Sequence, residues 1–143
     1  MSHYQHILAA VDLGENSIGL LRQAGALATL CDARLTVLHV VDYLPASDVD
    51  VVMLPEDSRQ EVLITVAEKR LHQLLEQIQL GNVAEVLVVS GRSKVEILRL
   101  ATQQKADLIV VGAHGRHGLR GLLGSTTDRV LHQAACDVLT VQA

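Results

Sequence analysis

The sequence predicts a doubly wound α/β domain, with helices on both faces of a five-stranded parallel sheet. Five short apolar runs punctuate the chain, and most of them are nearly continuous and rich in valine. Such runs are typical of parallel strands that are covered on both faces. Amphipathic helical patterns separate the runs, and this alternation indicates right-handed crossovers. The length of 143 residues suits one domain, which we expect to span residues 1–143.

The strands are predicted from the apolar runs, which occupy Ile7–Val11, Leu35–Val41, Val86–Val89, Leu108–Val111 and Val138–Val141. Within the second run, His39 stands where an apolar residue would be expected. Because a polar ring inside a sheet needs hydrogen-bond partners, we expect His39 to be a satisfied, partly buried imidazole near the helix layer.

The first two helices are predicted from apolar residues at helical spacing. The first helix follows the turn-like segment 14–17 and carries Leu20, Ala24, Leu27 and Cys31. The second carries a longer apolar stripe between residues 63 and 78. A capping box formed by Ser58 and Glu61 is expected to open it, and Gly81 is expected to end it in a left-handed conformation.

The last two helices follow the third and fourth predicted strands. A second capping box, Ser93 and Glu96, is expected to open a helix that carries Ile97, Leu98 and Ala101. The fourth helix is predicted to start at Gly124 and Ser125 and carries Val130 and Leu131. One long irregular connection, at residues 42–57, contains both prolines.

The composition excludes several classes of function. With a net charge of −4 and 1 % aromatic residues, the chain is not expected to bind nucleic acid. No apolar run approaches the roughly 18 residues that a membrane helix needs, so we expect no membrane partner. The N-terminus lacks a basic n-region, so we expect no signal peptide. Cys31 and Cys136 share no motif, so we expect two reduced, buried thiols and no structural zinc site.

The candidate functional residues follow the strands, because open parallel sheets bind ligands outside the carboxyl ends of their strands. These positions are Asp12, Val41-Asp42, Ser90-Gly91-Arg92 and Gly112-Ala113-His114-Gly115. A single carboxylate at the end of the first strand suits hydrogen bonds from ribose hydroxyls or a share in holding Mg²⁺. The alternative is that Asp12 caps the turn into the first helix.

The segment 112–124 is the most informative part of the sequence, since it holds five of the ten glycines. Glycine lets backbone amides approach a ligand closely. The segment ends in Ser125, Thr126 and Thr127 at a predicted helix N-terminus, where free amides and the helix dipole favour a phosphate. Neither standard nucleotide fingerprint, G-x-x-x-x-G-K-[ST] or G-x-G-x-x-G, is present. A flexible loop with a serine N-cap is an equally good interpretation of the glycines alone.

The same segment contains charged and imidazole side chains. His114 and His117 have H-x-x-H spacing but no further ligand is apparent, so we expect solvated loop histidines rather than a metal site. Arg116 and Arg120 suit contacts with bound phosphates and simple solvation equally well.

Five segments, at 6–12, 33–40, 106–115, 124–131 and 136–141, together resemble the universal stress protein family, of the universal stress protein A type. The resemblance covers essentially the full chain and is strongest in ADLIVVGAHG at 106–115 and GSTTDRVL at 124–131. It implies the strand order 3-2-1-4-5 and a cytoplasmic homodimer linked to survival under stress. The protein partner through which it acts is not implied.

One branch of the family binds ATP through G-x2-G-x9-G-[ST], and the matching positions are Gly112, Gly115, Gly124 and Ser125. The resemblance implies nucleotide contacts from the end of the first strand, with Asp12 on the ribose or metal side. It also implies that the end of the second strand lines the adenine. The complete expected set adds Ala10, Val11, Val40, Val41, His114 and Thr126.

The chain departs from that motif because eight residues, not nine, separate Gly115 from Gly124. A deletion in such a loop is absorbed if its two ends stay fixed; otherwise it moves Ser125 away from the phosphates. The retained glycines favour a stress-response protein that binds ATP, AMP or ADP as a regulatory ligand, with Mg²⁺ as an optional cofactor. The alternative is an interaction protein with an empty nucleotide site, acting through dimerisation and partners.

No catalytic set is evident in the sequence, which has no Walker lysine and no identifiable catalytic base. We therefore expect a binding protein rather than an enzyme, with slow ATP hydrolysis or autophosphorylation at Ser125 or Thr126 left open.

The last strand is a sheet edge in the implied order, and it carries no charge or proline to protect it. Such an edge invites pairing with another chain, so a homodimer is expected to form through Val138, Leu139, Thr140 and Val141.

Overall fold

The computed structural model describes residues 3–42, 56–113 and 124–142, and these contain one parallel sheet of five strands. The strands are β1 (His6–Val11), β2 (Arg34–Val41), β3 (Val83–Ser90), β4 (Leu108–Gly112) and β5 (Asp137–Val141). Their order across the sheet is β3-β2-β1-β4-β5, and every pairing is parallel. The predicted fold class and strand order are confirmed, although β3 begins before its apolar run.

Helices cover both faces of the sheet, as the continuous apolar runs predict. The described helices are α1 (Ser17–Cys31), α2 (Glu56–Gln77), α3 (Ser93–Gln103) and α4 (Ser125–Gln133). One core cluster joins α1 and α2 to alternate residues of the strands, including Ile7 and Ala9. The other joins α3 and α4 to the intervening residues, including Leu8 and Ile109. Because successive strand residues point to opposite faces, both sets must be apolar.

Three helices end at non-glycine residues in the left-handed conformation: Asp32, Gln79 and Lys105, with φ of 52°, 55° and 58°. The residue after each donates its N–H to a carbonyl in the last turn, as Leu80 does to Leu75 at 3.1 Å. This Schellman geometry satisfies carbonyls that the helix leaves free. The expectation that Gly81 ends α2 is wrong, because Leu80 packs on the core and fixes the reversal at Gln79.

Neither predicted capping box forms a cap. Ser58 is the third residue of α2, which begins at Glu56. At α3 the N-cap is Arg92, whose carbonyl accepts the first helical hydrogen bond, from Glu96, at 2.9 Å. The side chain of Glu96 instead accepts from Arg99 at 2.6 Å.

Polar contacts tie the strands together at the amino edge of the sheet. The ring of His6 is buried, with Nδ1 2.9 Å from the Gln104 carbonyl and Nε2 2.7 Å from the Thr36 hydroxyl. The carboxylate of Asp107 accepts from the N–H groups of Gln5 and His6. These contacts join the amino ends of β1 and β2 to the segment that precedes β4.

Both cysteines are free thiols near this edge, and both are half-buried rather than buried as expected. Burial and the neighbouring Asp137 raise the pKa of the Cys136 thiol. A hydrogen bond to Asp137 at 2.8 Å likewise raises the pKa of Tyr4. In the described part of the chain, no helix combines the length and apolar character needed to cross a bilayer.

Candidate functional site

The sheet opens at its carboxyl edge between β1 and β4. Within the described sheet, pairing of these two strands stops at Ala9 and Val110, although β1 continues to Val11 and β4 to Gly112. The other three pairings continue to the carboxyl end of the shorter strand. The strand order reverses at this junction, which is where open α/β sheets form ligand crevices.

The backbone of Gly112 faces the crevice. Ala113 donates its N–H to the Val141 carbonyl at 2.9 Å, so Ala113 turns towards β5. Because successive residues of a strand direct their backbone groups to opposite sides, those of Gly112 are directed towards β1. The Gly112 carbonyl accepts a hydrogen bond from the hydroxyl of Thr127 instead of continuing the ladder.

The first turn of α4 lies beside this opening. Its N-cap is Gly124, whose own N–H donates to the Ala113 carbonyl at 3.1 Å. Thr127 is 4 % exposed, whereas Ser125 is exposed and Thr126 half-buried. No side chain in the described residues caps this helix. The first amides of a helix lack intrahelical partners, so this end presents donors that no described side chain caps, at the positive end of the dipole, with Asp128 as the acidic residue of the first turn.

Asp12 lies at the end of β1, on the opposite side of the crevice. Its Oδ1 accepts from the N–H of Gly14 at 2.7 Å and from the hydroxyl of Ser17 at 3.4 Å. Asp12 therefore does fix the turn into α1, one of its two predicted roles. Its Oδ2 takes no hydrogen bond from the described residues, which leaves one carboxylate oxygen for a ligand.

The turn after Asp12 holds backbone strain that the sequence does not reveal. Leu13 has φ of 63°, a left-handed conformation that costs a non-glycine residue about 1–3 kcal/mol. A Cβ at Gly14 would lie 2.9 Å from Oδ1 of Asp12, so glycine permits the close approach of this carboxylate. Strain of this kind clusters at ligand sites, where surrounding contacts maintain it.

The ends of β2 and β3 are joined by contacts that sequence analysis missed. Asp42 accepts from the N–H of Ser93 at 3.4 Å and from its hydroxyl at 3.2 Å, so this carboxylate occupies the start of α3. Gly91 donates its N–H to the Val41 carbonyl at 3.0 Å. These partners lie about 50 positions apart in the chain, and no local pattern connects them.

The apolar candidates differ in what they present to the crevice. Val40 is 7 % exposed and belongs to the core beneath α3 and α4, so its side chain is already packed. Ala10 packs on the same core, while Val41 is half-exposed at the strand end. Nδ1 of His39 lies 2.8 Å from the Val11 carbonyl, which confirms a satisfied, partly buried imidazole.

The structure thus brings Asp12, Gly112, Gly124, Ser125 and Thr126 to one edge of the sheet. Five expected residues of the glycine-rich segment lie outside the described residues: His114, Gly115, Arg116, His117 and Arg120. Among the residues that are described, no cluster of three histidine, cysteine or acidic side chains could hold a metal ion.

Comparison with known proteins agrees with this architecture. The model of the universal stress protein family matches residues 3–142. Universal stress protein A homolog 1 of Coxiella burnetii is 38 % identical over 140 residues, covering 97 % of this chain and 96 % of the relative.

Two solved structures have the same fold. Universal stress protein UspA from Lactobacillus plantarum has a TM-score of 0.78 at 27 % identity, covering 99 % of this chain and all of the other. A universal stress protein in complex with cAMP has a TM-score of 0.69 at 26 % identity, covering 98 % of both chains. This chain therefore belongs to the universal stress protein family, and its crevice lies at the sheet position that such folds use for ligands.

Proposed function

We propose that this stress-response family member binds ATP or a related adenine nucleotide as a regulatory ligand in the crevice between β1 and β4. The observation that carries the proposal is the difference between α4 and the two other helices that begin at described strand ends. The start of α3 meets the carboxylate of Asp42, and that of α1 follows the carboxylate of Asp12. Among the described residues no side chain caps the start of α4, whose N-cap is Gly124 and whose first turn has Asp128 as its acidic residue, so its first amides suit an external anion.

The geometry also supports an orientation for the nucleotide. Phosphates would accept from the amides of Ser125 and Thr126, and the exposed Ser125 hydroxyl would add a donor. The free Oδ2 of Asp12 suits the ribose hydroxyls or, with the phosphates, a bound Mg²⁺. Val41 offers apolar surface for the adenine, with the backbone of Val40 beside it. Ala10 and Val11 would line the crevice with their backbone, since the side chain of Val11 is 5 % exposed and both side chains pack on the cores.

A relative provides independent support for this ligand class. The family member in complex with cAMP is similar over 98 % of this chain. An adenine nucleotide is accordingly preferred over other phosphorylated ligands. We propose binding rather than catalysis, in the cytoplasm, with an effect on a protein partner.

We also propose that the protein forms a homodimer through β5. Because the Val141 carbonyl accepts from Ala113, the backbone groups of Leu139 and Val141 are directed towards β4. Those of Val138 and Thr140 must then be directed towards the open edge. A second copy could pair with them antiparallel about a two-fold axis.

The competing candidate is an interaction protein whose nucleotide site stays empty. Its specific support is the spacing of eight residues between Gly115 and Gly124. Mass spectrometry separates the two candidates. The native protein is purified without denaturation, and any bound ligand is then released and identified. The proposal predicts a co-purified adenine nucleotide, or its stoichiometric binding when ATP is added back. Failure of both favours the empty site.

A further inference from the structure

We propose that the hydroxyl of Thr127 is the positioning group that holds the amide donors of α4 at the crevice. The inference rests on the proposed nucleotide site and assigns a role to a residue outside the expected binding set. Thr127 is 4 % exposed, so its side chain points into the protein rather than towards a ligand. Its hydroxyl donates to Gly112, the last residue of β4.

The Gly112 carbonyl needs this partner because the sheet does not provide one. Its backbone is directed towards β1, but pairing between β1 and β4 has already ended at Val110. A partly buried carbonyl without a donor is costly, so the hydroxyl replaces the missing strand contact. The bond from Thr127 to Gly112 therefore has two effects. It satisfies the carbonyl where β1 and β4 separate, and it attaches α4 to β4.

A second bond sets the register of the helix relative to the strand. The Gly124 N–H donates to the carbonyl of Ala113 at 3.1 Å. Ala113 directly follows Gly112, the residue of β4 that accepts from Thr127. Together the two bonds fix the helix start along the strand direction and in rotation. Between the two bonds lie the exposed Ser125 and the half-buried Thr126, whose amides belong to the first turn and have no intrahelical partners.

The test compares Thr127→Val, which removes the hydroxyl at nearly constant shape, with Thr127→Ser, which retains it. Calorimetry with ATP and with adenosine measures binding to each folded variant. We expect Thr127→Val to weaken ATP binding about tenfold and adenosine binding less than twofold, while Thr127→Ser stays within about threefold of native protein. Equal losses for both ligands, native ATP affinity in Thr127→Val, or loss in Thr127→Ser as well would overturn the proposal.

Amide hydrogen exchange without nucleotide provides the second measurement. The Gly124 amide should exchange about tenfold faster in Thr127→Val than in native protein or Thr127→Ser. If native protein binds no ATP, the proposed function fails, while this exchange comparison still decides whether Thr127 holds the helix. Unchanged exchange at Gly124 in Thr127→Val contradicts the positioning role.

Discussion

The backbone N–H of Gly124 donates to the carbonyl of Ala113 at 3.1 Å, joining the two ends of the segment 114–123. This bond and that of the Thr127 hydroxyl to Gly112 hold the start of α4 at the end of β4. The same contact bears on the shortened motif, because a missing residue can be absorbed when both ends are held.

The number of residues between Gly115 and Gly124 should therefore have little effect on nucleotide binding. Insertion of one glycine between residues 118 and 119 restores nine residues between Gly115 and Gly124. We expect ATP affinity to change by less than about threefold, because the start of α4 stays bonded to Ala113 and Gly112. The same insertion is also made in Thr127→Val, where α4 lacks its bond to Gly112. There the insertion should weaken ATP binding further. A tenfold gain on insertion into native protein would mean that the shorter segment displaces the helix.

Asp12 should prove to have two separable roles. Asp12→Asn keeps an oxygen that can accept from Gly14 and Ser17, so the free energy of unfolding should stay within about 0.5 kcal/mol of the native value. The substitution replaces the free carboxylate oxygen, so adenosine binding should weaken. Asp12→Ala should lose both, with a stability cost of about 1–2 kcal/mol. Ser17→Ala is the control that disturbs the turn alone. Urea denaturation and calorimetry measure the two quantities; full adenosine affinity in Asp12→Asn would remove the ligand role.

Gly91 should be intolerant of a side chain. Its φ of 147° is unfavourable for other residues, and an added Cβ would lie 2.9 Å from Cγ of Glu96. We expect Gly91→Ala to lower the free energy of unfolding by about 1–3 kcal/mol. The matched control is Gly81→Ala, where a Cβ meets nothing within 4 Å, and it should be neutral or slightly stabilising. Equal effects at the two glycines, measured by chemical denaturation, would contradict this account of the β3–α3 turn.

Thr140 offers a clean test of the proposed dimer. Thr140→Pro removes an N–H directed to the open edge and none that bonds to β4, and proline is tolerated on edge strands. The variant should sediment as a folded monomer, whereas Thr140→Ala, which keeps the N–H, should remain dimeric. Leu139 is a poorer choice because its side chain packs against the core. A dimer that survives in folded Thr140→Pro places the interface elsewhere.

Cys136 should react slowly with alkylating agents. Burial raises its pKa above the ordinary value, so its thiolate fraction near pH 8 is reduced. In Cys31→Ser, where it is the single thiol, the alkylation rate should rise with pH around a midpoint above that of the urea-unfolded control. The same shift stabilises the fold below the unfolded pKa, and this contribution is lost as pH rises through the folded value. Equal pH midpoints of alkylation in folded and unfolded protein would exclude the raised pKa of Cys136.

The features that the sequence predicts well depend on the local pattern of side chains. The features that it misses depend on contacts between residues that are distant in the chain. The valine-rich runs predict all five strands because both faces of the sheet must be apolar. The end of α2 is not predictable from Gly81, since packing of Leu80 places the left-handed residue at Gln79. Likewise Ser93 matches a capping box locally, but the folded sheet brings Asp42 to it.

The candidate site divides in the same way. Asp12, Gly112 and Gly124 could be proposed from strand ends and glycine spacing alone. The role of Thr127 could not, because its significance depends on a carbonyl that β1 leaves unpaired. Strain at Leu13 also has no sequence signal, since leucine rarely adopts a left-handed conformation.

The most direct test of the account is a calorimetric titration of ATP and adenosine, with and without Mg²⁺, into native protein and Gly124→Val. A valine side chain at the start of α4 obstructs the approach of phosphates to the amides of Ser125 and Thr126. The account predicts that native protein binds both ligands and that Gly124→Val weakens ATP about 10- to 30-fold with little effect on adenosine. Absence of binding of either ligand to native protein at millimolar concentration would contradict it.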